Sequence, residues 1–331
     1  MSNYITRPTG HDPTYQGPYT ASGVNLRLYV LPAPFAKLVA LLDRYLNSVA
    51  GAGTYFPLGG RIVACFAAMG KVEGAAPNLG WMREIDVALF IPTVRLDQLV
   101  PRIAFFAPYL FVDVPQAAAT GREVHGYRKD IGTSFSAVDT FADAWIPRAS
   151  DLTHVDAWAV AAPGSRLRRE RLIDLTAPAA GGAPVPWANQ GAALDTLFDH
   201  MVGSVADVAA PLGPAFNLAG AALNAMLEPL LRNAFKAIVA GVSADVPIVF
   251  LRQFRDPRHS AQADIQQVVH AKTRLDLASL SGHQLPGPYQ LTFHDMASHP
   301  FSSELGVPNG APVATSLTVE ANCGFVLNEA V

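Results

Sequence analysis

Short apolar stretches, each bounded by turn residues, recur along most of this chain and commit it to a sheet-rich body. Leu26, Leu28 and Val30 alternate with Arg27 and Tyr29, the period of a strand with one buried face, and Pro32 and Pro34 stop it. Residues 61–69, 85–92 and 109–114 read as further strands. Residues 154–160 and 167–175 flank Pro163-Gly164-Ser165 as a hairpin, with Arg166, Arg168, Arg169 and Arg171 on a solvated face. Residues 248–254, 264–280 and 289–293 read as the closing strands. A different period appears at 35–48, where Phe35, Leu38, Val39, Leu42, Tyr45 and Leu46 predict an amphipathic helix. Residues 95–109 suggest a short helix followed by a loop. Strands and helices do not alternate as βαβ units require, so the expected class is α+β with an antiparallel core.

One region breaks this pattern. Between residues 177 and 186 the composition shifts to Ala, Gly and Pro, and a helical stretch follows over 187–242. It divides into 187–209 and 217–240 around Pro211-Leu212-Gly213-Pro214, and reads as an insertion within a single domain of residues 1–331. Residues 208–227 carry no charge over the length of a membrane span, but Pro211, Gly213, Pro214, Asn217 and Asn224 interrupt them. A buried or lid helix is therefore expected, with no membrane partner.

Composition narrows the function. Of the 331 residues 50% are hydrophobic and 15% charged, a balance that buries enough apolar surface to offset chain entropy. With 24 basic against 27 acidic residues the net charge is -3, so no field gathers nucleic acid, and a small molecule is the expected partner. Cys65 and Cys323 stand far apart, without the spacing of a zinc site or a disulfide framework. Residues 1–15 lack the basic and apolar regions of a secretory signal, and a cytoplasmic location is expected. The sequence contains no GxGxxG, Walker loop, HExxH or GxSxG. His294, Asp295 and His299 form a loose cluster, but two imidazoles five positions apart on an extended segment point to opposite faces. Neither a metal nor a cofactor is expected.

The remaining motif is Gly121-Arg122-Glu123-Val124-His125-Gly126-Tyr127-Arg128-Lys129. By itself Lys129 reads as a solvated surface lysine. The segment nevertheless resembles the Schiff-base segment of the acetoacetate decarboxylase family, with Gly-Arg-Glu followed by an aromatic and a lysine two positions later. Other stretches resemble the family in the same order: Gln16-Gly17-Pro18-Tyr19, Met82-Arg83-Glu84 with Ala88-Leu89-Phe90-Ile91-Pro92, Phe250-Leu251-Arg252 through Val269-His270-Ala271-Lys272, and Gly287-Pro288-Tyr289-Gln290-Leu291.

The resemblance implies a cone-shaped β-barrel, mainly antiparallel, with an interior pocket and assembly into homo-oligomers. It also implies a carbon–carbon lyase whose lysine forms an imine with a β-keto acid and releases carbon dioxide. Lys129 takes the imine position and Glu84 that of the family's active-site glutamate. Arg122 and Glu123 are expected to brace the segment by an ion pair, and Tyr127 to support the site. Burial and a neighbouring positive charge would lower the lysine's pKa and free its amine.

Four positions depart from the family pattern. Asp130 replaces a common second lysine and Arg128 a proline. Val24 stands where an arginine is expected to meet the substrate carboxylate, and Ala64 near a second acidic residue. Arg27 could replace that arginine only if the first strand is bulged or shifted, because one position of slip turns a side chain to the other face. These departures keep two alternatives open. One is an imine-dependent aldolase-dehydratase acting on a keto acid such as pyruvate; the other is a non-catalytic relative that binds a hydrophobic ligand.

Overall fold

A computed structural model of the protein describes residues 14–74, 80–95, 101–134, 148–179, 182–202, 221–240, 243–277 and 279–328. Its first long strands are β1 (Tyr19–Pro32), β3 (Arg61–Gly74), β4 (Trp81–Arg95) and β5 (Arg102–Val112), with the short β2 (Tyr55–Pro57) paired to β4. After β6 (Lys129–Ser134), β7 (His154–Ala159) and β8 (Arg168–Thr176) come the short β9 (Val185–Pro186) and β10 (Val239–Ala240). The long β11 (Ser243–Arg255) and β12 (Ala263–Asp276) follow, then β13 (Ser281–Gln284), β14 (Gln290–Phe293), β15 (Pro312–Ala314) and β16 (Leu317–Leu327).

Hydrogen bonding runs β11-β12-β16-β1-β3-β4-β5, and β5 returns to β11 through Phe105 and Phe106 against Ile248 and Val249. The sheet thus closes partly into a ring. It is mixed rather than wholly antiparallel, since β5 runs parallel to both β11 and β6.

Strand alternation gives the ring two apolar faces. Ile62, Ala64 and Phe66 of β3 and Ile85, Val87 and Leu89 of β4 face outward into a core shared with the layer β6-β7-β8-β14-β15 and with α1 (Phe35–Leu42). Val63, Cys65 and Ala67 of β3 face inward, as do Glu84, Asp86 and Ala88 of β4. The helical expectation at 35–48 is met by α1, the wide turn Asp43–Asn47 and α2 (Ser48–Ala50). Of the helix and loop expected at 95–109, residues 96–100 lie outside the described residues, and from Arg102 the chain is strand β5 where a loop was expected. Pro108, which misled the reading, lies where the β4–β5 register shifts between Leu89 and Ile91, a bulge that tolerates a missing N–H. The hairpin holds as β7–β8, and Arg169 and Arg171 both pair with Asp156 on its exposed face.

The helical region contributes α4 (Gln190–Val202) and α5 (Ala221–Lys236), after α3 (Pro115–Thr120) earlier in the chain. Phe198, Met201, Leu227, Leu231 and Phe235 pack on Val63, Val94, Ile103 and Val319, so these helices cover one end of the ring. At Gly59 an added Cβ would lie 1.8 Å from the Val202 carbonyl oxygen, so only glycine admits the end of α4. The Pro211–Pro214 break lies outside the described residues. Among the described residues no helix is long and apolar enough to cross a membrane.

Candidate active site

The ring encloses a cavity of about 690 Å³. Among the described residues its charged lining is confined to Glu84, Asp86 and Lys129, with His125 beside them; the walls are otherwise almost wholly apolar. Glu84 and Asp86 arrive together because they stand two apart on β4 and so share its inner face. Lys129 arrives from β6, whose first residue pairs with Leu110 of β5. Its neighbours alternate away: Arg128 lies over the Tyr45 ring at 4.7 Å, and Asp130 meets His299 Nε2 at 3.3 Å.

The wide helical turn Gly121–His125 and the left-handed Gly126 bring the chain back to this strand. Gly126 has φ +86°, and a Cβ there would stand 2.2 Å from Arg252 Cα, so two constraints demand glycine. A Cβ on Gly121 would come within 2.9 Å of Lys129 Cδ and Cε, so this glycine makes room for the lysine stem.

Lys129 Nζ donates to Glu84 Oε1 at 2.8 Å and lies 3.7 Å from Asp86 Oδ2, with 8% of the lysine and 5% of the glutamate side chain exposed. Burial works to lower the amine's pKa, but the Asp86 and Glu84 carboxylates more than offset it and hold it above the ordinary lysine range. This reverses the expected direction, for the neighbours are anions rather than cations. Burial, and then the charge of Glu84, raise Asp86 well above the usual carboxylate range. The amine and the Asp86 carboxyl are thus both held toward their protonated forms by the same enclosure. Behind it, Asp113 Oδ1 accepts the Ile85 N–H at 2.8 Å, and burial raises its pKa to about 6.

Tyr127 is buried, its ring 5.5 Å from Lys129 Nζ and 3.9 Å from the Phe250 ring, centroid to centroid. His125 is only 1% exposed; burial, with help from the Lys129 charge, lowers its pKa to about 4. Among the described residues neither of its ring nitrogens has a hydrogen-bond partner, and it lines the cavity. Cys65 also faces inward, and burial raises its thiol to about 12.

The other sequence candidates lie elsewhere. Arg27 occupies the outer face of β1, its Nε donating to Glu320 Oε2 at 2.6 Å; the strand is bulged between Ala21 and Val24, but beyond the bulge it is Val24, Leu26 and Leu28 that face the cavity. Val24 lines the cavity in its place, while Ala64 faces the outer core. Arg122 is exposed and forms no ion pair with Glu123, whose main-chain carbonyl instead accepts Arg252 Nε at 2.8 Å. The histidine cluster is divided among separate partners, His294 with Asp174, Asp295 with Ser302 and His299 with Asp130. Sequence reasoning overlooked Asp86 and His125. The i+2 spacing from Glu84 would have placed Asp86, whereas no local pattern says which way His125 points.

No protein-family model matches the sequence, and no curated protein matches it either. Solved structures do. An acetoacetate decarboxylase-like enzyme from Sphingomonas wittichii RW1 superposes with a TM-score of 0.54 at 12% identity, over 100% of this chain and 98% of that one. The acetoacetate decarboxylase of Legionella pneumophila subsp. pneumophila str. Philadelphia 1 gives 0.52 at 12% identity, covering 96% and 88%. The enduracididine biosynthesis enzyme MppR complexed with pyruvate gives 0.51 at 14% identity, covering 98% and 93%. The chain therefore has the acetoacetate decarboxylase-like fold.

Proposed function

We propose that the protein is a lysine-imine lyase that decarboxylates a β-keto acid in the ring cavity. The observation that carries this reading is the Lys129–Glu84 contact of 2.8 Å inside an apolar enclosure, with Asp86 beside it. A ketone entering the cavity displaces water and weakens the case for charge separation, so the Lys129 proton passes to Glu84 and leaves a neutral amine. The amine attacks the ketone carbon, the oxygen leaves as water, and a protonated imine forms. The bond to the carboxylate then breaks. Its electron pair enters the enamine and carbon dioxide departs. In this scheme Asp86 acts as the acid that protonates the enamine carbon, and hydrolysis of the resulting imine by water returns the ketone, the free amine and a proton to Asp86.

His125 supplies what the missing arginine would have provided, a donor without a positive charge. Held neutral, it offers one N–H to the substrate. An apolar wall opposes a buried carboxylate but not neutral carbon dioxide, so this weak recognition favours decarboxylation.

An aldol condensation and dehydration would begin from the same imine, with Asn189, Gln190 and Thr273 of the cavity lining as the amide and hydroxyl groups on hand for a second carbonyl partner. Borohydride reduction in the presence of a β-keto acid, followed by peptide mapping, tests the proposal. The expected result is a reduced adduct on the Lys129 peptide together with carbon dioxide release. No adduct overturns the imine; an adduct that grows by a second carbonyl without carbon dioxide release assigns the aldol reaction.

A further inference from the structure

The reacting groups occupy one part of the cavity only. On β4 the inward residues run Glu84, Asp86, Ala88, Phe90, and the six-residue step from Glu84 to Phe90 spans ~20 Å of extended strand. Beyond Asp86 no charged side chain lines the cavity among the described residues. Its far part is formed by Phe90 and Phe105 from the ring and by Leu194, Leu197, Met201 and Phe235 from the helical region. The helices that enclose this part are seated on the ring by the Gly59 contact, so the enclosure belongs to the fold rather than to a loose covering. A substrate the size of acetoacetate would fill the charged end and leave the rest of the space empty. A run of ~20 Å accommodates an extended alkyl chain of up to about seventeen carbons, since three backbone bonds span about 3.3–3.6 Å.

Resting on the imine reading above, we infer that the substrate is a β-keto acid with a long unbranched alkyl tail, its keto group at Lys129 and its tail running toward Phe90, Phe105 and α4. The tail supplies binding energy remote from the reacting carbon, and that energy offsets the cost of placing a carboxylate against an apolar wall.

Carbon dioxide release measured with acetoacetate, β-ketooctanoate and β-ketododecanoate tests this. Transfer of each methylene from water raises kcat/KM by about fourfold until the channel is full. Ala88→Phe, which blocks the passage between Asp86 and Phe90, is expected to cut the preference for β-ketododecanoate over acetoacetate by at least about tenfold, equivalent to two methylenes or more. Ala193→Trp, on the helix at the far end, shortens the longest accepted chain and keeps the test available if the strand variant does not fold. A flat or falling dependence on chain length, with acetoacetate still trapped on Lys129, overturns the tail site and leaves the imine intact. So does a length profile that neither variant changes. The opposite pattern, tight binding of a long methyl ketone to wild type and to Lys129→Met with no trapped adduct on wild type, supports the channel and removes the imine reading instead.

Discussion

Two charge clusters in this protein each set one cation among carboxylates, and they behave differently. Inside the ring, Lys129 meets Glu84 and Asp86 with almost no access to water. On the helical region, Arg232 meets Asp195 at 3.2 Å, Asp199 at 2.7 Å and Glu228 at 3.3 Å in the open. In solvent the charges are screened, so the network holds the two helices together only weakly. In the cavity burial opposes ionisation, and the Asp86 carboxyl is held well above the usual carboxylate range. Burial turns a surface tie into a set of groups that exchange protons. The lesson is that the environment, not the residue list, makes chemistry out of an ion pair.

The sharpest way to break this comparison is Lys129→Met. Under the proposed mechanism it lowers carbon dioxide release by more than about 10³-fold, the order reached when a covalent nucleophile is removed, and it abolishes the borohydride adduct. The double variant Lys129→Met/Glu84→Met is equally inactive yet keeps or exceeds the wild-type Tm, because apolar groups replace a buried pair without loss. A large drop in Tm for the double variant would mean that the pair is structural. Glu84→Gln is expected to lower kcat by about 10²-fold through loss of the proton acceptor while circular dichroism stays unchanged.

His125 offers a smaller, pH-dependent test. Its pKa falls from 6.5 to about 4 on folding, so its contribution to stability is present above 6.5 and is lost as pH falls toward 4. The loss amounts to about 3 kcal/mol by pH 4, at 1.36 kcal/mol per unit. Urea denaturation across this range should show that loss in wild type and a flatter profile in His125→Phe. The smallest effect belongs to the surface network: Arg232→Met is expected to move the Tm by no more than about 2 °C, since exposed pairs contribute little.

Much of the ring was legible from alternation and turn residues. The strand through Leu26, Leu28 and Val30 could be read because its inner face is continuously apolar. Residues 102–108 could not, because Pro101 and Pro108 resemble helix punctuation and only the bulge against β4 makes a strand there possible. The site was legible in part. The spacing of Gly121, Gly126 and Lys129 carried information because each glycine answers a steric demand. Arg27 was attractive by residue type, but the parity of its strand places it outside.

The sequence by itself determined the position of most long strands, the helical interruption and the segment that carries Lys129, since these depend on local periodicity and on glycines that no other residue replaces; β16 (Leu317–Leu327), which joins β12 to β1, went unread. Only the tertiary structure decided what Lys129 faces. Glu84 lies 45 positions earlier in the chain, and the charge state of the pair depends on the water the closed ring excludes. Desolvation and Coulomb interaction are properties of the assembled cavity, and no window of the sequence contains them.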